Sequence, residues 1–352
     1  MKRRKRKTRN RRRRTAVVAG VIFVVAIALI IAACLFLFHR IARFDDVDTS
    51  YVYIDSDDDI DSVYVKLAPV TTTGGRMGFR ILASYTGYAG NIRSGRYAVG
   101  RNDGVITVFR RMKNGMQEPV RLTIPSVRTM DRLAAYLSDK LMIDSAAVND
   151  ALTDTAVCSA YGYTPQTMVC IFIPNTYDVY WNVTVDKLLE RMKKESDTFW
   201  NAERQSEADS IGMTRVEVMT LASIIDEETA DDAEKPMIAG MYINRLKAGM
   251  PLQADPTVKF AIGDFSIRRI YHNMLTVDSP YNTYMNTGLP PGPIRIPSIA
   301  GIDAVLRYVH HDYLYMCAKE DFSGTHNFAA TYKEHLANAA KYSKALNERG
   351  IK

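Results

Sequence analysis

Three carboxylates in a row, Asp226, Glu227 and Glu228, lie in the run SIIDEET at residues 223–229, with no basic residue among them. A carboxyl group gives or takes a proton at a reacting oxygen when its surroundings hold its pKa near the working pH. The preceding TRVEVMTLASII has apolar residues at helical spacing and opens on Thr214, a capping hydroxyl, so residues 214–229 are expected to be a helix. At 100° per residue, with Leu221 at zero, Ile224 falls at about −60°, Ile225 at about +40° and Glu228 at about −20°. Glu228 is therefore aimed into the apolar stripe. Asp226, at about 140°, and Glu227, at about 240°, fall on the far side and read as ordinary surface acids. Burying an ionised carboxyl is costly, so the pKa of Glu228 should rise, which suits a general acid. The structural alternative is a salt bridge to a buried base, with Arg245 of YINRL as partner.

Polar groups follow densely. INRLKAGMPLQADPTVKFAIGD, residues 243–264, sets Asn244, Arg245, Gln253, Asp255 and Thr257 around a Gly-Met-Pro turn. SPYNTYMNTGLPPGPI, residues 279–294, offers Tyr281, Asn282, Thr283 and Tyr284 before a loop stiffened by two prolines, and HNF adds His326. Amides, hydroxyls and rings on rigid loops suit a carbohydrate groove, although plain structural loops use them too. His310, His311 and His335 have no zinc spacing. Asp55, Asp57 and Asp59 resemble the start of a calcium loop, but Ile60 and Lys66 stand where such a loop needs glycine and glutamate. Helix capping and surface charge explain them better.

The elements that must position these groups begin past an unusual N-terminus. The chain has 352 residues and a net charge of +7, yet eleven Lys and Arg fall within the first fourteen residues, so the remainder stands at −4. Residues 1–15 are thus a basic tail, and no nucleic-acid-binding face is expected. Residues 16–38 carry no charge; as a helix they span roughly 34 Å, enough for a bilayer core. The tail places the N-terminus in the cytoplasm and the rest of the chain outside it. A cleaved signal peptide and lipidation at Cys34 are the rival readings. Residues 39–50 read as a linker, 51–125 as a small α+β module and 126–352 as a larger α+β domain. Within the module YVYI is β-rich, a helix starts near Ile60, and SGRYAVGRNDG, VITVFRRMKNG and PVRLTIP read as β-type runs. A helix is expected from Val127, and one long helix from Val183 through NAERQ. Cys158 and Cys170 form either a bridge or, with Cys317, a set of buried thiols.

LASIIDEET, YINRLKAGMPLQADPTVKFAIGD, SPYNTYMNTGLPPGPI and GTHNF, in this order within residues 125–340, resemble the endolytic murein transglycosylases of the YceG-like family. A weaker echo over residues 51–125, including RSGRYAV, is similar to that family's LysM-like subdomain. The resemblance implies an α+β, membrane-anchored bacterial enzyme that cuts nascent peptidoglycan strands outside the inner membrane and leaves 1,6-anhydro-N-acetylmuramic acid ends. It needs no cofactor, and its implied partners are glycan strands, peptidoglycan synthases and the bilayer around residues 16–38. The family motif is similar to A-S-I-V/I-E-x-E-T, whose second acid is catalytic; that position is Glu228. Asn244, Arg245, Gln253, Asp255, Tyr281 and Asn282 are the expected sugar-binding or orienting residues, with Asp226 and His326 in support. Asp226 stands where the family has glutamate. The alternatives are a non-catalytic peptidoglycan-binding scaffold and a hydrolytic muramidase using Asp226 as second carboxyl.

Overall fold

A computed structural model describes residues 2–267 and 269–349, with side chains from residue 14 onward. It divides into two units, residues 1–120 with 179–182 and residues 121–178 with 183–352. The fold is α+β: among the described residues helices dominate, and the strands pair in three separate two-stranded sheets.

The first unit runs α1 (Lys2–Phe38), β1 (Thr49–Ile54), α2 (Ile60–Leu67), α3 (Thr73–Thr86), β2 (Gly95–Gly100) and α4 (Val105–Asn114). Residues Arg14–Phe38 of α1 are apolar and long enough to cross a membrane. β1 and β2 pair antiparallel from Thr49↔Gly100 to Ile54↔Gly95. Alternation sends Val52, Ile54, Tyr97 and Val99 into one core with Val63, Leu67, Phe79, Val108 and Phe109. The expected linker is not slack. Ile41 and Ala42 are buried in that core, and Ile41 bonds Asp103 and Thr72 through its backbone. VITVFRRMKN is helix α4 rather than a strand, because Val105, Val108, Phe109 and Met112 recur at helical spacing and are all buried. The β-branched residues that suggested a strand are overruled by this period. Asp55 and Asp58 both pair with Lys66, and Asp59 caps α2 by accepting from the Ser62 amide.

The second unit runs β3 (Val120–Thr123), α5 (Met130–Lys140), α6 (Ser145–Thr153), α7 (Thr155–Ala160), β4 (Thr176–Val179), α8 (Val185–Phe199) and α9 (Ala202–Ser210). It continues with α10 (Arg215–Glu228), α11 (Lys235–Lys247), α12 (Asp255–Ile262), α13 (Ile299–Leu306), β5 (Tyr315–Ala318), β6 (His326–Ala329) and α14 (Tyr332–Glu348). The single long helix expected from Val183 breaks into α8 and α9, where Trp200 turns into the core and Asn201 caps α9 through the Arg204 amide. Cys158 and Cys170 are free, buried thiols. At the centre lies α10, opened by a reciprocal capping box between Thr214 and Glu217. Every residue from Val218 to Ile225 is buried. The helix's neighbours are α9, α11, α12 and α13.

Candidate active site

Because every residue of α10 from Val218 to Ile225 is buried, this stretch has no solvated far side, and the acids that follow it find partners on other elements. Asp226 and Glu227 are not the surface residues the wheel indicated. The Asp226 side chain is 4% exposed and pairs with Lys235 Nζ at 2.8 Å, itself 6% exposed. It also accepts from the Ser298 hydroxyl and amide at the start of α13. Glu227 receives a two-pronged bond from Arg128, at 2.7 Å for each nitrogen, and a third from Arg295 at 2.8 Å. The wheel used only α10's own apolar residues, whereas the ion pairs come from residues on other segments of the chain.

Among the described residues, Glu228 has no such cation bonded to it. The base suggested by the sequence, Arg245, is occupied elsewhere: it donates to Pro251 O and Leu314 O at 3.0 Å each and to Gln253 Oε1 at 2.7 Å. The Glu228 carboxyl instead accepts one bond at 2.6 Å, from the Tyr242 hydroxyl on α11. Burial pushes its pKa from the ordinary 4.5 up to about 7, against the pull of the Tyr242 hydroxyl and with a further push from Asp255. The Tyr242 hydroxyl is itself held well above its usual range, first by burial and then by the Glu228 charge, so it stays a donor.

Glu228 opens onto a cleft of about 320 Å³ within the second unit. α11 supplies Tyr242 and Arg245, the following turn supplies Gln253, and the start of α12 supplies Asp255. Tyr284 comes from the 279–294 loop, and β5, β6 and α14 close the opposite wall with Tyr315, His326, Tyr332 and His335. Gln253 holds φ at +53°, a left-handed conformation unusual away from glycine. Its amide donates to Thr283 O at 3.0 Å and its side chain accepts from Arg245, so the strained turn is fixed at both ends. Beneath it, Thr257 and Thr283 join hydroxyls at 2.8 Å, and Ala254 donates to Thr283. This buried knot ties the LQADP and YNTY segments together. Tyr284 donates to Asp255 at 2.6 Å, at the cleft mouth.

The structure brings Glu228, Arg245, Gln253, Asp255 and His326 to this cleft. His326 is held against Glu234, its backbone amide at 2.6 Å and its Nδ1 at 3.0 Å. Asn244, Tyr281 and Asn282 do not line it. The Asn244 amide is spent on His311 O and Tyr313 O, and that of Asn282, fully buried, on Leu275 O and Val277 O. Tyr281 packs on Phe260, with ring centroids 4.7 Å apart. These three build the loops rather than the lining. Sequence reasoning missed Tyr242, Tyr315, Tyr332 and His335. Tyr242 lies fourteen residues beyond Glu228, on the next helix, and no spacing rule links the two. Tyr315 stacks on His335 at 5.4 Å and lies 5.8 Å from Tyr332, forming an aromatic wall. Burial and then the Arg245 charge lower the His335 pKa, so this imidazole is neutral near pH 7. No group of three or more His, Cys, Asp or Glu that could hold a metal occurs among the described residues.

Known proteins are similar to this chain in fold and sequence. A solved structure of a yceG-like protein from Listeria monocytogenes matches with a TM-score of 0.54 and 27% identity, over 82% of this chain and 99% of that one. An endolytic murein transglycosylase of Bacillus subtilis is 29% identical over 287 residues, 77% of this chain and 78% of that protein. One from Streptococcus pneumoniae serotype 2 is 26% identical over 294 residues, 75% of this chain but 53% of its own length. The sequence pattern of the YceG-like family matches residues 52–341. The chain belongs to the YceG-like family.

Proposed function

We propose that this chain is a membrane-anchored lytic transglycosylase that cleaves peptidoglycan glycan strands, with Glu228 as acid and then base. The observation that carries the reading is the Glu228 carboxyl, with no cation bonded to it among the described residues and raised to about 7, facing a polar and aromatic cleft. Protonated, Glu228 gives its proton to the oxygen of the β-1,4 bond between N-acetylmuramic acid and N-acetylglucosamine, and the bond from C1 to that oxygen breaks. The carboxylate then takes the proton of the muramic C6 hydroxyl as its oxygen bonds to C1. Atoms balance without water, the product ends in a 1,6-anhydro ring, and Glu228 is again protonated. A pKa near the ambient pH serves both halves of this cycle. The Tyr242 hydroxyl steadies the carboxylate between them. Gln253, Arg245 and the Tyr315 wall supply hydrogen bonds and ring faces for the sugars. The names of the Bacillus and Streptococcus relatives support the same substrate and reaction class.

The same proposal places α1 across the cytoplasmic membrane with the chain after Phe38 outside, supported by the uncharged span and the basic tail preceding it. The β1–α2–α3–β2 order supports a LysM-like, glycan-contacting role for the first unit. Peptidoglycan synthases are the proposed partners, on the family resemblance alone.

A second reading has one observation in its favour. Asp255 lines the same cleft as Glu228, and two carboxyls can hydrolyse a glycoside by sharing acid and base roles. Asp226, the earlier candidate for that second carboxyl, is consumed by Lys235 and Ser298. Mass spectrometry of purified glycan strands after incubation with the full chain separates the readings. Anhydro ends support the transglycosylase; reducing ends, one water heavier, transfer the assignment to hydrolysis with Asp255. Bound strands without new ends mean a non-catalytic scaffold.

A further inference from the structure

We propose that α3 is a membrane-docking helix, which lays the first unit against the outer headgroup layer beside the point where α1 leaves the bilayer. The inference rests on α1 spanning the membrane, as proposed above.

The geometry begins at the end of α1. Gly74 and Gly78 of α3 are buried, and a Cβ built at either would run into the carbonyl oxygen of Phe36 or Leu37. Carbonyls of a helix's last turn point along its axis toward the C-terminus. α3 therefore lies across the end of α1, and its Gly74–Gly78 face looks back down toward the membrane. Small residues four apart permit such close approach. Three residues past Phe38, Ile41 is already locked into the core, with its amide and carbonyl both bonded. No free tether lifts the unit away from the lipid.

The depth follows from length. If the hydrocarbon begins near Ala16, a core of about 30 Å is crossed by about twenty residues and ends near Leu35 or Phe36. Those two side chains are 57% and 62% exposed, as lipid-facing groups are when no lipid is present. The α3 backbone touches the chain at this level.

The same face of α3 continues beyond the glycines. At 100° per residue from Gly74, Gly78 sits near 40°, Ile81 near −20°, Tyr85 near 20° and Met77 near −60°. Met77 is 51%, Ile81 38% and Tyr85 88% exposed. The core-facing Gly75, Phe79 and Ala83 fall near 100–180°, and Arg76 and Arg80 near 200–240°, away from this arc. An apolar arc ending in a tyrosine, continuous with the membrane exit and opposed by arginines, fits an interfacial helix. The occupant it fits is the acyl–headgroup boundary.

The test uses the full chain, one copy per nanodisc, with phospholipid brominated near the carbonyl end of its acyl chains. Tryptophan is introduced singly as Tyr85→Trp on the proposed docking face, Arg80→Trp on the polar face, and Leu29→Trp within α1; the native chain gives the background of Trp181 and Trp200. Loss of the added emission at positions 85 and 29 but not at 80 is expected. Quenching at 29 without quenching at 85 overturns the docking and leaves the anchor intact. Quenching at neither position removes both. Equal quenching at 80 and 85 means unoriented contact and overturns the proposal, as does a residue 85 shielded from aqueous iodide yet untouched by brominated lipid, which points to protein cover.

Discussion

If Glu228 is held protonated by burial, replacing it should remove a pH dependence of stability whose sign and size are set in advance. In the folded chain its pKa stands at about 7 against the ordinary 4.5. Between those values the folded protein keeps a proton that the unfolded chain has released, so folding takes up a proton. Stability must then fall as pH rises through this window, with the loss complete above about pH 7. A displacement of this size corresponds to about 3 kcal/mol. Glu228→Gln keeps the shape and an acceptor for the Tyr242 hydroxyl but cannot ionise. Relative to the native chain, the variant should gain about 3 kcal/mol between pH 4.5 and pH 8. Denaturant unfolding at several pH values provides the assay. With Trp181→Phe in both proteins, emission comes from Trp200, which is 3% exposed in the second unit and reports that unit alone. The comparison avoids treating two units as one transition. Parallel stability curves for the two proteins across the window, or a relative loss in the variant at pH 8, would refute the reasoning.

Three further outcomes are expected. Tyr242→Phe removes the bond that holds the Glu228 pKa down, so the alkaline limb of strand cleavage should move to higher pH, at a stability cost of about 1 kcal/mol; pH–rate profiles of the two proteins check it. Lys235→Met strands the buried Asp226 carboxylate and should cost about 3–5 kcal/mol, read as a lowered unfolding midpoint of the second unit. Asp255→Asn should leave anhydro ends forming, with the change mainly in KM; abolished cleavage with unaltered strand binding would favour the two-carboxylate reading.

The sequence disclosed the catalytic candidate through local information. Thr214 announces the start of α10, and the phase of Leu221, Ile224 and Ile225 selects Glu228. The same wheel misplaced Asp226 and Glu227, since the polar residues of a buried helix are matched by residues on other segments of the chain. Arg128 is 99 positions from Glu227. Tyr242 escaped because it lies on the next helix, where the α10 wheel does not reach. Asn244 and Asn282 carried the right chemistry for a sugar site, but an amide binds a backbone carbonyl equally well, and burial decides which it does. In the first unit TGGRMGFR has poor helix propensity, and α3 forms there because its glycines allow contact with the end of α1. Such tertiary rescue leaves no local signature.

The most direct measurement sets the native chain and Glu228→Gln side by side on purified, uncrosslinked glycan strands, with anhydro ends counted by mass spectrometry and strand binding measured in parallel. The account predicts anhydro ends from the native chain, none above background from the variant, and equal binding by both. Anhydro ends released by the variant at the native rate would contradict it.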